Sequence, residues 1–409
     1  MLIKYSMKIV CPICKKKNKF YRLKFGNFPL CDDLIRFRSK KKNKLYPINL
    51  DYCKNCNTIF NKHKINKHVL FPKNYHYRAK LTNDVLKGQQ DLVRFLTKKK
   101  NKLKGKIVLD IGCNDGALLD ILYSKGAKTI GVEPTNAAKD ANSFHDIYNS
   151  FFDEKIVKNL NRKYKKIDYI IFTNVFAHIN DFRKLLKNLK SLLSLNTKIV
   201  IENHYLGSII NKFQFDTFYH EHPRTYSLTS FYYISKILGL KIEHFSFPKR
   251  YGGNIRVIFS SLKQNPRLKK NIAKESLFFK LFKINYKMFK NWVKSKKKQI
   301  NRLNYNYGLL KGKAFPGRAT LLIKILNLDE KNFDFVFEKP NSKKIGYFVP
   351  GTRIKIVSDN LIKHKIKNYN GPIINFAWHI HAEIRSYLKK LKINNKVIDI
   401  LNINEVKKL

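Results

Sequence analysis

Between residues 84 and 203, short apolar runs alternate with stretches whose apolar residues recur at helical spacing. Residues 84–100 predict a helix, and further helices are predicted over LLDILYS and FRKLLKNLKSLL. The runs IVLDIG, TIGVE, IDYIIFTN and TKIVIEN predict buried strands between them. Strands and helices that alternate in this way form a doubly wound parallel sheet.

A second α/β pattern follows residue 313, with a helix predicted through TLLIKILNL and further elements over FDFVFEKP, PGTRIKIV and IINFAWHIHAEIRSYLKK. It predicts a smaller C-terminal α/β domain. The lysine- and aromatic-rich stretch at 262–313 is open to three interpretations: a membrane-surface helix, an RNA-binding helix, or a connecting helix. We favour the connecting helix, with its phenylalanines and Trp292 packed on the core.

Charge and composition narrow the class of protein. The 409 residues suffice for two to three domains, and the formal net charge is +56. Lysine, asparagine and isoleucine are abundant throughout, without the clustered basic arm of a dedicated nucleic-acid binder, so we discount that function. No apolar run approaches the roughly 18 residues of a membrane span. We expect a cytoplasmic protein, since paired cysteines indicate thiolates in a reducing compartment.

Two CxxC pairs, Cys11/Cys14 and Cys53/Cys56, are separated by 38 residues. Each pair presents two sulfurs from one turn, and two such turns can close a tetrahedral structural zinc site. A redox role is the alternative, but neither pair opens a helix of a βαβ unit. We therefore predict Zn²⁺ bound by these four cysteines.

The stretch VLDIGCNDG places Asp110 at the end of the first predicted strand, followed by a compact glycine turn. The second strand ends in Glu133-Pro134, 23 residues beyond Asp110, where an acid can accept ribose hydroxyls. The turn is neither a Walker loop nor a clean GxGxxG. Turn and acid together resemble the S-adenosylmethionine site of class I methyltransferases. The predicted cofactor-binding residues are Asp110, Gly112, Asn114, Asp115, Gly116, Glu133, Pro134 and Asn174.

Proton-handling residues are concentrated in Phe218–Ser227, FYHEHPRTYS, and a further histidine, His178, follows the strand IDYIIFTN. An acid–base site, a metal pair of His220 and His222, and a loop satisfied by its own hydrogen bonds are all compatible with this stretch. Arg224 has the rigid fork that binds phosphate or carboxylate. We favour acid–base chemistry.

Ordered motifs along the whole chain resemble the nucleotide-sugar C-methyltransferases, which methylate dTDP-4-keto-deoxysugars at carbon 3. They are the CxxC pairs, YHY, LDIGCNDG, GVEP, NVFAHI, FDTFYHEH, YGGNIRV, KIGYFVPGT and FAWHIHAEI. The resemblance implies a class I methyltransferase Rossmann-like doubly wound sheet with two flanking domains. We expect a zinc-binding domain and linker at 1–78, the methyltransferase domain at 79–262, and connecting helices with a Rossmann-like α/β domain at 263–409.

The resemblance also implies residue roles. His222 would remove the proton alpha to a ketone, with Glu221, Tyr219 and His178 as the other catalytic residues. The residues assigned to the nucleotide-sugar substrate are Tyr75, Tyr77, Arg224 and Tyr205.

Departures from that family lie beside the presumed substrate pocket. The chain has Glu202-Asn-His-Tyr205 where relatives read valine-proline-tyrosine, and Tyr251-Gly-Gly-Asn254 where they read His-Gly-Gly-Ser. O-methylation of a related acceptor therefore stays open, as do an RNA methyltransferase and a non-catalytic scaffold. A monomer and a dimer are both compatible with the sequence.

Overall fold

The computed structural model describes residues 9–18, 20–98 and 103–408. The end of the helix predicted at 84–100 lies outside these residues. The chain separates into two compact units, each built from several stretches. The first unit comprises Met1–Leu23, Leu50–Gly207 and Glu221–Leu277, and the second comprises Lys24–Asn49, Ser208–His220 and Phe278–Leu409. The three consecutive domains expected from the sequence stay a prediction.

The strands are given in chain order. They are β1 (Ile9–Val10), β2 (Lys17–Asn18), β3 (Tyr21–Phe28), β4 (Ile35–Arg36), β5 (Tyr46–Cys53), β6 (Thr58–Asn61), β7 (Ile107–Ile111), β8 (Lys128–Val132), β9 (Asp146–Tyr148), β10 (Tyr169–Thr173), β11 (Lys198–His204), β12 (Arg224–Thr225), β13 (Lys241–Ser246), β14 (Asn254–Ser260), β15 (Leu310–Lys313), β16 (Phe333–Glu338), β17 (Tyr347–Phe348), β18 (Lys355–Ser358), β19 (Ile373–Asn375) and β20 (Val397–Asp399).

The α-helices follow the same order. They are α1 (Lys67–Leu70), α2 (Asn83–Thr97), α3 (Ala117–Tyr123), α4 (Glu154–Lys163), α5 (Phe182–Leu192), α6 (Leu206–Asn211), α7 (Leu228–Leu238), α8 (Leu268–Lys274), α9 (Phe278–Tyr307), α10 (Ala319–Ile325), α11 (Ile362–Lys365), α12 (His381–Lys390) and α13 (Ile403–Lys407). Short 3-10 turns lie at Ala79–Leu81, Asn136–Asp140, Phe176–His178, Phe215–Thr217, Arg250–Gly252, Glu275–Leu277, Asp359–Leu361 and Trp378–Ile380.

The first unit is built on a seven-stranded sheet of order β13-β14-β11-β10-β7-β8-β9. Strands β9, β8, β7, β10 and β11 are parallel, whereas β14 runs antiparallel to both β11 and β13. The parallel strands are almost entirely apolar because helices cover both faces of such a sheet. Their carboxyl ends meet at one edge, which is where ligands bind in open α/β sheets.

Helices of the first unit are positioned by local signals. Asp153 and Asp181 cap α4 and α5 by accepting hydrogen bonds from backbone N–H groups, and Ser227 and Ser230 form a capping box at α7. One hydrophobic core includes Leu109, Ile170 and the four paired cysteines. The cysteine turns are therefore packed into the core of the sheet rather than attached loosely to it.

The second unit has its own seven-stranded sheet, of order β20-β19-β15-β16-β18-β17-β4. The five strands from β20 to β18 are parallel, and β17 is antiparallel to both neighbours. This is a Rossmann-like strand order, in agreement with the Rossmann-like α/β domain that the family resemblance implies. The predicted connecting helix is α9, whose Phe282, Phe289 and Trp292 are buried. In the described part of the chain, no helix has the length and apolar character needed to cross a membrane.

Candidate active site

The loop after β7 forms a compact cradle at the carboxyl edge of the first unit's sheet. Gly112, Asn114 and Gly116 all adopt positive φ angles, of +78°, +52° and +77°. A Cβ on Gly112 would lie 2.5 Å from Cγ2 of Val175, so this position has no room for a side chain. The glycines predicted from the sequence thus allow the loop to turn tightly and to pack closely against Val175 and Ala141.

Two buried carboxylates, those of Asp110 and Glu133, lie at this cradle and differ in their hydrogen bonding. Burial, and then the negative charge of Glu133, raise the pKa of Asp110 to about 7. Oδ1 of Asp110 has no hydrogen-bond partner among the described residues. Glu133 accepts hydrogen bonds from the backbone N–H of Asn114 at 3.1 Å and from the hydroxyl of Thr135 at 2.6 Å. An orphaned, electron-rich oxygen suits a cationic ligand, and S-adenosylmethionine carries an ammonium and a sulfonium.

Asn114 and Asp115 attach the cradle to the segment that carries Tyr75 and Tyr77. Asn114 Oδ1 accepts from the N–H of Ala79 at 2.9 Å, and its Nδ2 donates to the carbonyl of Tyr77 at 3.3 Å. Asp115 accepts from the N–H of Lys80 at 2.8 Å. In the structure, Asn114 and Asp115 therefore hold the tyrosine segment in place. Within this segment, Tyr75 is half-buried and Tyr77 is exposed.

Arg78 fixes the same segment and was missed from the sequence. Its guanidinium donates to the carbonyls of Tyr75 and Tyr77, at 2.7 and 2.9 Å, and forms an ion pair with Asp140. The only signal in the sequence is an arginine directly after two aromatics, which does not distinguish this role from a surface arginine.

Three imidazoles meet beside this cradle, all within the first unit. The ring centroid of His222 lies 4.8 Å from that of His178 and 5.2 Å from that of His204. His178 follows β10, His204 ends β11, and His222 lies just before β12. Because β10 and β11 are parallel neighbours, their carboxyl ends bring two of the rings together.

His178 is held as a neutral imidazole. Burial lowers its pKa to about 4, and backbone hydrogen bonding at Asn174 and Glu221 offsets only part of that effect. Its Nδ1 lies 4.0 Å from the carboxylate of Glu221. The structure thus brings together three of the four predicted catalytic residues, namely His178, Glu221 and His222.

His220 has a different environment in the second unit. Its Nε2 lies 3.1 Å from the carbonyl oxygen of Tyr46, and its ring meets that of Tyr46 edge-on. Within residues 9–18, 20–98 and 103–408, the paired cysteines are the group of side chains that could hold a metal ion. The alternative of a metal site on the HEH motif therefore gains no support.

The remaining predicted residues have mixed placements. The guanidinium of Arg224 donates to the carbonyls of Ile179 and Asn180, at 2.6 and 2.7 Å, which orients the loop after His178. The hydroxyl of Tyr205 donates to Glu275 at 2.8 Å. Tyr219 and Pro134 are half-buried. Contact of these residues with substrate or cofactor stays a prediction.

A buried ionic network supports the carboxyl ends of β10 and β11. Glu202, which is fully buried, pairs with Arg256 at 2.7 Å and with Arg250 at 3.2 Å. Asn254 donates to Glu202 at 3.3 Å and to Asn174 at 3.1 Å. This network connects the predicted cofactor residue Asn174 to the strand that carries His204. In the sequence, Glu202 and Asn254 stand out only as parts of motifs that diverge from the family.

The four paired cysteines form a closed cluster in the first unit. Their sulfurs all lie within 4.8 Å of one another, with Cys11 and Cys56 at 3.7 Å and Cys14 and Cys53 at 3.8 Å. Zinc–sulfur bonds of about 2.3 Å in a tetrahedron require sulfurs roughly 3.8 Å apart, so the geometry fits a four-cysteine zinc site.

Family comparisons agree with this architecture. Residues 77–244 match a family model described as a methyltransferase domain. Residues 249–398 match a second family model, described as a C-methyltransferase C-terminal domain. The C-methyltransferase NovU of Streptomyces niveus is 24% identical over 321 residues, which cover 76% of this chain and 75% of that relative. The ubiquinone biosynthesis O-methyltransferase of Coxiella burnetii is 28% identical over 100 residues, 24% of this chain and 43% of that relative.

Solved methyltransferase structures also align with part of the chain. The magnesium protoporphyrin IX methyltransferase of Synechocystis PCC 6803 with bound SAM covers 43% of this chain and 79% of its own, at 15% identity and a TM-score of 0.32. The alignment with a SAM-dependent methyltransferase from Archaeoglobus fulgidus covers 47% of this chain and 99% of that protein, at 19% identity and a TM-score of 0.34.

The strand order, the glycine cradle and the matched methyltransferase domain identify the chain as a class I S-adenosylmethionine-dependent methyltransferase. The predicted fold and enzyme class are thereby confirmed. More particularly, this domain is followed by a C-methyltransferase C-terminal domain, and the C-methyltransferase NovU is similar over 76% of the chain, so the resemblance found in the sequence is confirmed.

Proposed function

We propose that this enzyme methylates a carbon atom next to a ketone in a nucleotide-linked 4-keto-deoxysugar, with His222 as the base. The observation that carries the proposal is the meeting of His222 and His178 at the carboxyl edge of the sheet, beside the cofactor cradle. Such a pair supplies a proton acceptor and a neutral hydrogen-bond donor, which enolisation of a ketone requires.

In the proposed reaction, His222 takes the proton alpha to the ketone, and the electron pair of the broken C–H bond moves into an enolate. Neutral His178 donates a hydrogen bond to the enolate oxygen. The carboxylate of Glu221, close to His178, favours the cationic state that a neighbouring imidazole acquires. Bound S-adenosylmethionine would supply an electrophilic methyl group, and Asp110 and the glycine cradle would hold it.

The nature of the acceptor rests on the sequence motifs shared with nucleotide-sugar C-methyltransferases. We assign Tyr75, Tyr77 and Tyr219 to the sugar. Arg224 and Tyr205 are proposed to shape the pocket, since both already make hydrogen bonds to protein atoms. Methylation of oxygen on a related acceptor is the alternative that the experiment below distinguishes.

The test is a solvent-exchange assay. Purified enzyme in deuterated water is incubated with dTDP-4-keto-6-deoxyglucose and other 4-keto nucleotide sugars, with and without S-adenosylmethionine. The masses of the products are then measured by mass spectrometry. We expect a deuteron to be gained without the cofactor and a methyl group with it, and both to be lost in His222→Ala. A His244→Ala variant, which removes a half-buried histidine of β13 outside the cluster, serves as the matched control.

Two outcomes would count against the proposal. A methyl group gained at oxygen without deuterium exchange would reassign His222 to deprotonation of an alcohol. No reaction with any sugar, despite tight S-adenosylmethionine binding, would mean that the acceptor class is wrong, and RNA would be tried next.

We further propose that Cys11, Cys14, Cys53 and Cys56 bind a structural Zn²⁺. The support is their burial and the spacing of their sulfurs. Metal analysis of the purified enzyme should find one zinc per chain, and Cys53→Ser should lose it. Cytoplasmic location is likewise a proposal, supported by the buried cluster of four cysteines, whose thiols a reducing compartment keeps available for a metal ion.

A further inference from the structure

His222 is a buried base, and a buried base has to release its proton after every turnover. The side chain has little access to solvent because the residue is only 6% exposed. A cation left there would also be costly, since burial disfavours charge. The site therefore needs a route by which the proton reaches water.

His204 is in the right place to provide that route. Its ring centroid lies 5.2 Å from that of His222, with the ring planes inclined by 56°. Rings this close allow a nitrogen of each to approach to hydrogen-bond distance, about 2.7–3.2 Å. His204 is half-buried as a residue, whereas His222 is 6% exposed; Nδ1 of His204 is shielded from solvent, so its ring can reach water only through Nε2.

The position of His204 is fixed by the strand rather than by a mobile loop. It is the last residue of β11 and pairs with Asn254 of β14, and the next residue donates its N–H to the carbonyl of Gly253 at 3.3 Å. Sites on strands are held more closely than sites on loops. The backbone position from which the ring approaches His222 is therefore set by the sheet.

The other imidazole in the cluster is a poor proton acceptor. Burial lowers the pKa of His178 to about 4, so it does not take a proton readily from a neighbouring histidine. Its Nδ1 lies 4.0 Å from the carboxylate of Glu221 and is shielded from solvent, so a proton taken there would stay beside Glu221 rather than pass to water. Between the two neighbours of His222, His204 is the one suited to carry a proton outward.

We propose that His204 relays the proton from His222 to solvent. The proposal rests on the proposed function, in which the proton comes from the acceptor carbon. The C–H bond breaks and an N–H bond forms on His222; this N–H bond then breaks as one forms on a ring nitrogen of His204. The other ring nitrogen of His204 gives its proton to water, which leaves both imidazoles neutral.

The test compares wild-type enzyme with His204→Ala and His204→Gln in the assay for loss of deuterium from an acceptor labelled at the reacting carbon. Without the relay we expect turnover to fall on the order of a hundredfold at unchanged KM. Added imidazole should restore the rate of His204→Ala in proportion to its concentration, because a small base can occupy the vacated space. His244→Ala should retain the wild-type rate and show no response to imidazole.

Two results would overturn the relay. One is wild-type turnover in both His204 variants. The other is a raised KM, or a loss that imidazole does not repair, because either indicates that His204 only shapes the pocket. These results are distinguishable from failure of the proposed function, which would show as undiminished exchange in His222→Ala.

Discussion

At the scale of single residues, each imidazole of the cluster has a different environment. His222 is buried among other rings, His204 is half-buried at a strand end, and His178 is kept neutral by burial. In the proposed mechanism, these environments suit a base, a relay and a neutral donor among residues of one chemical type. Under this proposal, the environment of each histidine, rather than its residue type, determines its role in the reaction.

The lowered pKa of His178 predicts a pH dependence of stability. Its pKa falls from the ordinary 6.5 to about 4 on folding, so the unfolded chain binds the proton more readily. Stability should consequently decrease as the pH falls from about 6.5 to 4. In His178→Asn this component is absent, and the variant should gain roughly 3 kcal/mol relative to wild type between pH 7 and pH 4.

Urea unfolding at a series of pH values measures this difference directly, because other titrating groups contribute equally to both proteins. Curves for wild type and His178→Asn that stay parallel over the whole range would show that His178 is not buried as a neutral ring.

The cradle glycine Gly112 predicts a steric effect that a second glycine isolates. Gly112→Ala combines a φ of +78° with a Cβ 2.5 Å from Val175, whereas Gly105→Ala has a similar φ of +73° and open space around its Cβ. We expect a loss of about 1–2 kcal/mol at Gly105 and about 2–5 kcal/mol at Gly112. Calorimetric titration should show weakened S-adenosylmethionine binding only for Gly112→Ala. Equal effects of the two substitutions on binding would contradict the role of the cradle.

At the scale of elements, the Glu202 network holds the carboxyl ends of β10 and β11 in position. Arg250 and Arg256 both depend on this one fully buried carboxylate, and Asn254 links it to Asn174. A buried charge without its partner is far more costly than an exposed one. The network thus connects β11, β14 and the loop after β10 next to the imidazole cluster.

Replacement of Glu202 by glutamine should therefore destabilise the fold by about 3–5 kcal/mol, because two buried guanidinium groups lose their counter-charge. Glu243→Gln is the matched control, since Glu243 is 26% exposed and pairs with Lys198 on the same sheet. That change should cost about 1 kcal/mol or less. Chemical unfolding measures the stability of both variants. Similar losses of stability would show that the buried network contributes no more than the more exposed ion pair.

Local patterns predicted most elements because periodicity and turn residues act over short distances. The VLDIGCNDG turn forms as expected, with Gly112 and Gly116 in the left-handed region. His204 was missed because its neighbours in the sequence read as the end of a strand, and its partner His222 is brought to it only by tertiary structure. The same holds for Arg250 and Arg256, whose shared carboxylate lies in another strand.

At the scale of the whole molecule, the cysteine cluster is part of the methyltransferase unit. The carbonyl of Cys56 accepts hydrogen bonds from the hydroxyls of Ser227 and Ser230, which cap α7, at 3.2 and 3.0 Å. The same apolar core contains cysteines and sheet residues. The fold class could be predicted from the motifs, but this integration could not, because residues 53–56 and 227–230 are distant in the sequence.

Removal of metal is therefore predicted to loosen the first unit beyond the cysteine turns. Chelation, or Cys53→Ser, should accelerate amide hydrogen exchange in α7 and lower the melting temperature, since metal binding and folding are coupled. Cys31→Ser, which changes a buried cysteine outside the cluster, is the control and should retain zinc. Faster exchange confined to residues 11–14 and 53–56 would contradict integration of the site into the unit.

The central claim is that a carbon atom accepts the methyl group. The most direct measurement is NMR of the product formed from dTDP-4-keto-6-deoxyglucose and S-adenosylmethionine labelled with carbon-13 in its methyl group. We predict a labelled methyl group bonded to a ring carbon next to the ketone, with no product from His222→Ala. A labelled methyl bonded to oxygen would contradict it.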